Sequence, residues 1–92
     1  MNQVRFFIDP HTGNPHLWKH NVTEDEALEV MANADGDRRS RNGTRVIVGQ
    51  TDAGRYLRVF YFVDGESVVV MTAFDLPPKQ LRAFKKLRKK KS

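Results

Sequence analysis

One arginine that directly follows a glycine turn is the first candidate for phosphate chemistry. Arg55 comes after Asp52-Ala53-Gly54, at the start of a predicted strand. The planar guanidinium grips phosphate oxygens through paired hydrogen bonds and stabilises charge that develops on them. The alternative is structural, with Arg55 at the end of a sheet pairing with an acid such as Asp52 or Asp9.

A Lys-His pair stands just before a predicted helix and offers a group for proton transfer. The imidazole of His20 has an ordinary pKa of about 6.5, which suits acid-base work near neutral pH. Lys19 would add positive charge beside it. The alternative is that the imidazole of His20 bonds a backbone group where the loop meets the helix.

Two further arginines lie on neighbouring predicted strands. Arg58 follows Tyr56 on the face opposite Arg55, because side chains alternate along a strand. Arg45 stands near the start of the preceding strand. They would form one basic patch if the register of the two strands allowed it.

The end of the chain carries a dense group of cations. Residues 76–92 hold eight Lys/Arg and no acid, whereas residues 1–75 hold eight Lys/Arg and all eleven Asp/Glu. A solubilising helix end explains one or two such cations, and binding to RNA phosphates explains the whole group better. The predicted RNA-binding side chains are Arg45, Lys79, Arg82, Lys85, Lys86, Arg88 and Lys89, with Lys90 and Lys91 beyond them.

Several classes of function are excluded or disfavoured by composition. The chain has no cysteine, so disulfides, thiolate zinc sites and cysteine nucleophiles are absent. The spacing of His11, His16 and His20 matches no metal-ligand pattern, and no cofactor motif is found. We therefore expect no metal and no cofactor. No apolar stretch is long enough to cross a membrane and no secretion signal is recognisable, so we expect a cytoplasmic protein.

The hydrophobic pattern predicts one α+β domain over residues 1–92, with residues from about 88 onward left as a disordered basic tail. Thr23 and Glu26 form a capping box at the start of the first helix, and Gly36 is predicted to cap its end. Asn42-Gly43 is typical of a hairpin turn. The predicted elements are a strand over Asn2–Ile8, a loop or short helical turn over His11–Asn21, a helix over Glu24–Ala34, an antiparallel meander of three or four strands (a short edge strand Asp37–Arg41, then Thr44–Gln50, Arg55–Val63 and Ser67–Phe74), and a basic helix over Lys79–Lys91.

Two blocks of sequence resemble the BrnT toxins of bacterial toxin–antitoxin pairs, which belong to the wider RelE-like group of small ribonucleases. The first block is Phe6-x-x-Asp9 followed by Lys19-His20-x-Val22-Thr23-x-x-Glu26-Ala27. The second is Gly49-x-Thr51-x-x-Gly54-Arg55-x-Leu57-x-Val59-x-Tyr61. The resemblance covers residues 6–63 and implies a RelE/BrnT-like fold.

The same resemblance implies a metal-independent endoribonuclease that a protein antitoxin neutralises. Arg55, His20 and Lys19 would act at the phosphate, and Arg58 is a further candidate. Tyr61 and Thr72 would be supporting polar groups. The sequence departs from the family at Phe74, where the resemblance implies an arginine of the active surface.

Three functions stay open at the level of sequence. The first is the ribonuclease toxin, alone or in a homo-oligomer or a toxin–antitoxin assembly. The second is a module on the same fold that binds RNA or DNA without cutting. The third is a protein-binding partner that uses the edge strand near Asp37–Arg41.

Overall fold

The computed structural model describes residues 3–34, 37–39 and 43–91, and it describes the side chains of these residues except 37–39 and 87–91. The α+β class is confirmed. The elements are β1 (Gln3–Phe6), a short 3₁₀ helix (His16–His20), α1 (Glu24–Asn33), β2 (Asp37–Arg39), β3 (Arg45–Gln50), β4 (Tyr56–Asp64), β5 (Ser67–Asp75) and α2 (Pro78–Lys91).

In the described part of the chain, five strands form one mixed sheet in the order β1-β5-β4-β3-β2. The strands β2 to β5 pair in sequence and antiparallel, while β1 lies parallel to β5. Gly54 and Gly65 have positive φ angles of 96° and 62° in the turns that lead into β4 and β5. Asn42, the first residue of the predicted hairpin turn, lies outside the described residues, as do residues 40 and 41 of the predicted edge strand.

The N-terminal strand is shorter than predicted, because β1 ends at Phe6 and not at Ile8. Phe6 is the last residue in register with β5, opposite Val70. Beyond that point the chain turns away, and Ile8 forms an isolated bridge with Pro15. The 3₁₀ helix then packs against β5, where the predicted short helical turn is confirmed.

Helix α1 starts as predicted. The N–H of Glu26 donates to Thr23 Oγ1 over 3.2 Å, and the N–H of Thr23 donates to Glu26 Oε1 over 3.0 Å, so the capping box is confirmed. Val22 and Ala27, on either side of the cap, are both fully buried. They fix the angle at which the chain enters the helix.

Gly36, the predicted cap, lies outside the described residues. The helix ends at Asn33, and Ala34 takes an extended conformation with ψ of 146°. The Asn33 side chain donates to the carbonyl of Gln50 and to Asp52 Oδ1, over 3.1 and 3.0 Å. These bonds hold the last turn of α1 against the end of β3 and the turn that follows it.

Helix α1 covers one face of the sheet, and the core lies between them. Gly49 permits the close approach, because a Cβ there would lie 3.4 Å from both the Val30 carbonyl oxygen and the Ala34 Cβ. The buried core consists of Leu17, Val22, Ala27, Val30, Ile47, Leu57, Val59, Tyr61, Val70 and Ala73.

The other side of the sheet, called here the open face, has a different composition. It lies opposite α1, and its side chains are only partly buried. A β-bulge between β4 and β5 leaves Met71 as the extra residue, so that Thr72 faces Phe60 and Val70 faces Tyr61. By pairing and alternation the open face carries Val46, Val48, Tyr56, Arg58, Phe60, Phe62, Thr72 and Phe74.

Helix α2 begins at Pro78, in the first turn that suits a proline. Leu76, just before it, is buried, and the ring of Phe84 lies 5.8 Å from that of Tyr56 on the open face. Neither of the described helices combines the length and the apolar character that crossing a membrane requires.

Candidate functional site

The Arg55 guanidinium is fully occupied by the protein itself. Its Nε and Nη2 donate to the two oxygens of Asp75, over 2.8 and 3.2 Å. Its Nη1 donates to the Asn21 carbonyl over 2.7 Å and to the Glu26 carboxylate over 3.1 Å, and Nη2 also reaches the His20 carbonyl at 3.5 Å. These bonds use all five N–H donors that a guanidinium has.

The charges around Arg55 stabilise one another. The pKa of Asp75 is lowered by its bonds to Arg55, and that of Glu26 is lowered first by the Thr23 backbone N–H and then by Arg55. The same partners raise the pKa of Arg55 above its usual value, the bonds to Asp75 being the largest cause. The structural alternative, in which Arg55 pairs with an acid, is confirmed, but the acids are Asp75 and Glu26 and not the suggested Asp52 or Asp9. The catalytic role of Arg55 stays a prediction.

A second ion-pair cluster fixes the loop before α1. Asp9 is 3% exposed, and its carboxylate accepts from Lys19 Nζ over 2.8 Å and from the His11 backbone N–H over 2.9 Å. Its other neighbour is His16, whose Nδ1 lies 3.3 Å from Oδ2. The bond to Lys19 is the largest cause that lowers the pKa of Asp9 to about 2. Lys19 therefore already serves a buried carboxylate.

His20 differs from its neighbour Lys19. Its imidazole makes no hydrogen bond within the described part of the chain, so the proposed bond to a backbone group is wrong. The ring lies 5.3 Å from that of Phe74, edge to face. A shallow, open depression lies there, lined by Lys19, His20, Asn21, Phe74 and Asp75. The imidazole is thus exposed beside the open face.

Arg58 is placed in the open face, between two phenylalanine rings. Its Cζ lies 4.5 Å from the centroid of Phe74, the residue directly across on β5, and 5.8 Å from that of Phe60. Arg58 makes no hydrogen bond or ion pair with the described residues, and its Nε is buried without a hydrogen-bond partner. Within the described part of the chain, the guanidinium is therefore positioned by its contacts with the two phenylalanine rings.

The other predicted site residues on the strands are divided between the two faces of the sheet. Arg45 lies directly opposite Tyr61, on the face that α1 covers. The register of β3 and β4 does not allow one patch of Arg45 and Arg58, because it places these arginines on opposite faces. Thr72 lies on the open face opposite Phe60, and its Oγ1 is buried without a hydrogen-bond partner.

The predicted cations of α2 are exposed along the helix as far as the side chains are described. Lys85 Nζ lies 5.3 Å from the centroid of Tyr56, which places it at one end of the open face. The exposed set is Lys79, Arg82, Lys85 and Lys86. The side chains of Arg88 and Lys89 lie outside the described part.

No group of three or more His, Asp or Glu is placed to hold a metal ion in the described part of the chain. His16 and His20 are neighbours, with ring centroids 6.0 Å apart, and His16 also contacts the ring of Phe7. The three-histidine segment therefore contributes ring contacts and one bond to Asp9.

Sequence reasoning missed the contributions of Phe60 and Phe74. Strand alternation already placed Phe60 beside Arg58, two residues apart on one face. Phe74 stands out in the sequence only where the resemblance implies an arginine. Its contact with Arg58 depends on the register across the bulge, for which the sequence carries no direct signal.

Comparisons of the chain with protein-family models, with curated proteins and with solved structures found no match.

Replacing Arg55 by Ala should destabilise the domain by about 2 kcal/mol, because Glu26 and two carbonyls lose their donor while the more exposed Asp75 regains water. Urea unfolding at neutral pH measures this free energy. The matched control is Arg5→Ala, which removes an exposed pair with Asp64 (3.6 Å) and should cost less than about 0.5 kcal/mol. Equal effects of the two variants would contradict the structural role of Arg55.

Acid should unfold the domain partly through Asp9. Its pKa is lower in the folded protein (about 2) than its ordinary value of 3.8, so its contribution is complete above about pH 4 and is lost as the pH falls towards 2. We expect Asp9→Asn to lower the free energy of unfolding at pH 7 and to reduce its loss between pH 4 and 2. Urea unfolding across this pH range tests the point, and a variant with the wild-type slope would contradict it.

Proposed function

We propose that this domain binds RNA, with α2 and the adjoining open face in contact with the RNA. The observation that carries the proposal is the division of charge into paired and unpaired groups. Three cations within residues 1–75 each pair with an acid of the same part of the chain. Arg5 pairs with Asp64, Lys19 with Asp9, and Arg55 with both Glu26 and Asp75. In contrast, Arg58 and the exposed cations of α2 have no acidic partner among the described side chains.

A polyanion is the ligand that suits such a surface. The acids beside Arg5, Lys19 and Arg55 already pair with these cations, and α2 holds no acid of its own. Phosphates that replace bound counterions at α2 would gain affinity with a strong dependence on salt. The half-buried rings beside α2 favour a nucleic acid over a simple polyanion, because bases can stack on them.

Removing the described α2 charges should weaken RNA binding and its salt dependence together. The variant replaces Lys79, Arg82, Lys85 and Lys86 by Gln. We expect the slope of log K against log salt to fall by roughly 3, because each phosphate that the protein neutralises on a single strand adds about 0.7 to it. Fluorescence anisotropy with labelled RNA across a salt series measures both quantities.

The matched control keeps the charge at the same positions, with each Lys changed to Arg and Arg82 changed to Lys. It should retain the wild-type slope and most of the affinity. Salt-insensitive binding by the wild-type protein, or equal slopes for the neutral and the charged variants, would refute the proposal.

A second candidate is a metal-independent endoribonuclease on a RelE/BrnT-like fold, neutralised by an antitoxin. The exposed imidazole of His20 beside the ring of Phe74 favours it. His20 would accept the proton of a 2′-hydroxyl as that oxygen attacks phosphorus. The bond to the 5′-oxygen breaks, a 2′,3′-cyclic phosphate forms, and the 5′-oxygen takes a proton from water. Arg58 is the unpaired guanidinium available to the phosphate charge. An acidic antitoxin segment would suit the same cations.

Loss of His20 should abolish cleavage and leave binding in place. We expect His20→Gln to cause no growth arrest when expressed in bacteria and to yield no 5′-hydroxyl RNA fragments in vitro, while its affinity for RNA stays within about twofold because the α2 contacts persist. Arg55→Ala is a poorer test, since it also destabilises the fold. Wild-type protein that binds RNA without cutting it would refute the endoribonuclease and leave RNA binding as the function.

A further inference from the structure

The open face presents a guanidinium whose position is set before any ligand arrives. Arg58 lies on a central strand, and its head group is placed over the ring of Phe74 with Phe60 beside it. The two rings are 5.4 Å apart and tilted by 32°. A side chain held between rings loses little further freedom when it binds an anion.

Arg58, which is partly buried, lacks the acidic partner that usually compensates such a charge. Its Nε is buried without a hydrogen-bond partner, and no described acid bonds its head group. Thr72 Oγ1 is buried and unpartnered on the same face. Unpaired polar groups of this kind cost stability, so the arginine at position 58 is not explained by the stability of the sheet.

We propose that the open face binds one unpaired nucleotide of an RNA strand, with a phosphate bonded by Arg58 and the base stacked on Phe60. This inference rests on the proposed RNA binding and names its site. Arg58 lies closer to Phe74 than to Phe60, so the ring of Phe60 is the one that the guanidinium covers less. Phosphate is the anion that the guanidinium fork fits best, and bases stack on aromatic rings.

The ligand class follows from the shape of the surface. A base inside a duplex has both of its faces covered by neighbouring pairs, so only an unpaired base can lie on a protein ring. The strand would continue towards α2, because Tyr56 lies two residues before Arg58 on the same face and contacts Lys85. The open face and the basic helix thus form one path for a single strand.

The test compares three ligands: an unstructured oligouridylate, an abasic RNA of the same length, and a duplex RNA. Wild-type protein should bind the oligouridylate more tightly than the abasic strand. Phe60→Leu should weaken oligouridylate binding by about tenfold, a typical loss for one stacked base, and leave abasic binding unchanged. Thermal unfolding checks that each variant folds.

Arg58→Lys is the second variant and keeps the charge while it removes the planar fork. It should weaken binding of both single strands several-fold at an unchanged salt slope, because one phosphate contact is replaced by a poorer one. Arg5→Lys is the matched control, an exposed arginine on β1, and should bind as wild type does. This variant keeps the inference testable if Phe60→Leu fails to fold.

Equal wild-type affinity for oligouridylate and abasic RNA would overturn the inference while RNA binding itself stands. Wild-type affinity in both Phe60→Leu and Arg58→Lys would do the same. Preference for the duplex would also overturn it. If the wild-type protein binds none of the three RNAs, the proposed function fails and this site fails with it.

Discussion

The arrangement of the molecule depends on the five hydrogen-bond donors of Arg55. This one side chain joins the start of β4 to the end of β5, to the first turn of α1 and to the loop before it. His20 is held through its own carbonyl, so the position of its imidazole beside Phe74 depends on a guanidinium that has no donor left for a ligand. A phosphate that took Arg55 would have to displace a carboxylate or a carbonyl. For this reason our proposals assign phosphate binding to Arg58 and proton transfer to His20, and neither to Arg55.

The charge of the chain has two separate uses. Among the described residues before α2, acids such as Asp9 and Glu26 pair with nearby cations and accept from backbone N–H groups. Helix α2 has cations without acids and contacts the sheet through Phe84 and Lys85 on Tyr56. The proposed attraction for polyanions and the proposed nucleotide site therefore lie on different elements, which contact each other at Tyr56.

Local signals in the sequence predicted local structure well. The capping box at Thr23 depends on residues three positions apart, and alternation correctly separated Arg55 from Arg58. The failures involve contacts distant in sequence. Arg55 pairs with Asp75, twenty residues away, and the register places Arg45 and Arg58 on opposite faces of the sheet. The bulge that leaves Met71 unpaired has no direct signal in the sequence, yet it keeps Val70 in the core while Thr72 and Phe74 stay on the open face.

The choice of residues at the open face is difficult to explain by stability alone. A valine or a threonine at position 58 would suit a central strand and bury no unpaired nitrogen. Contact with two rings recovers part of the cost of an arginine there, on the order of 1 kcal/mol for each favourable ring at a partly exposed site. The buried Nε still lacks an acceptor. Because a domain of 92 residues has only a small margin of stability, a cost of this kind is most simply explained by binding.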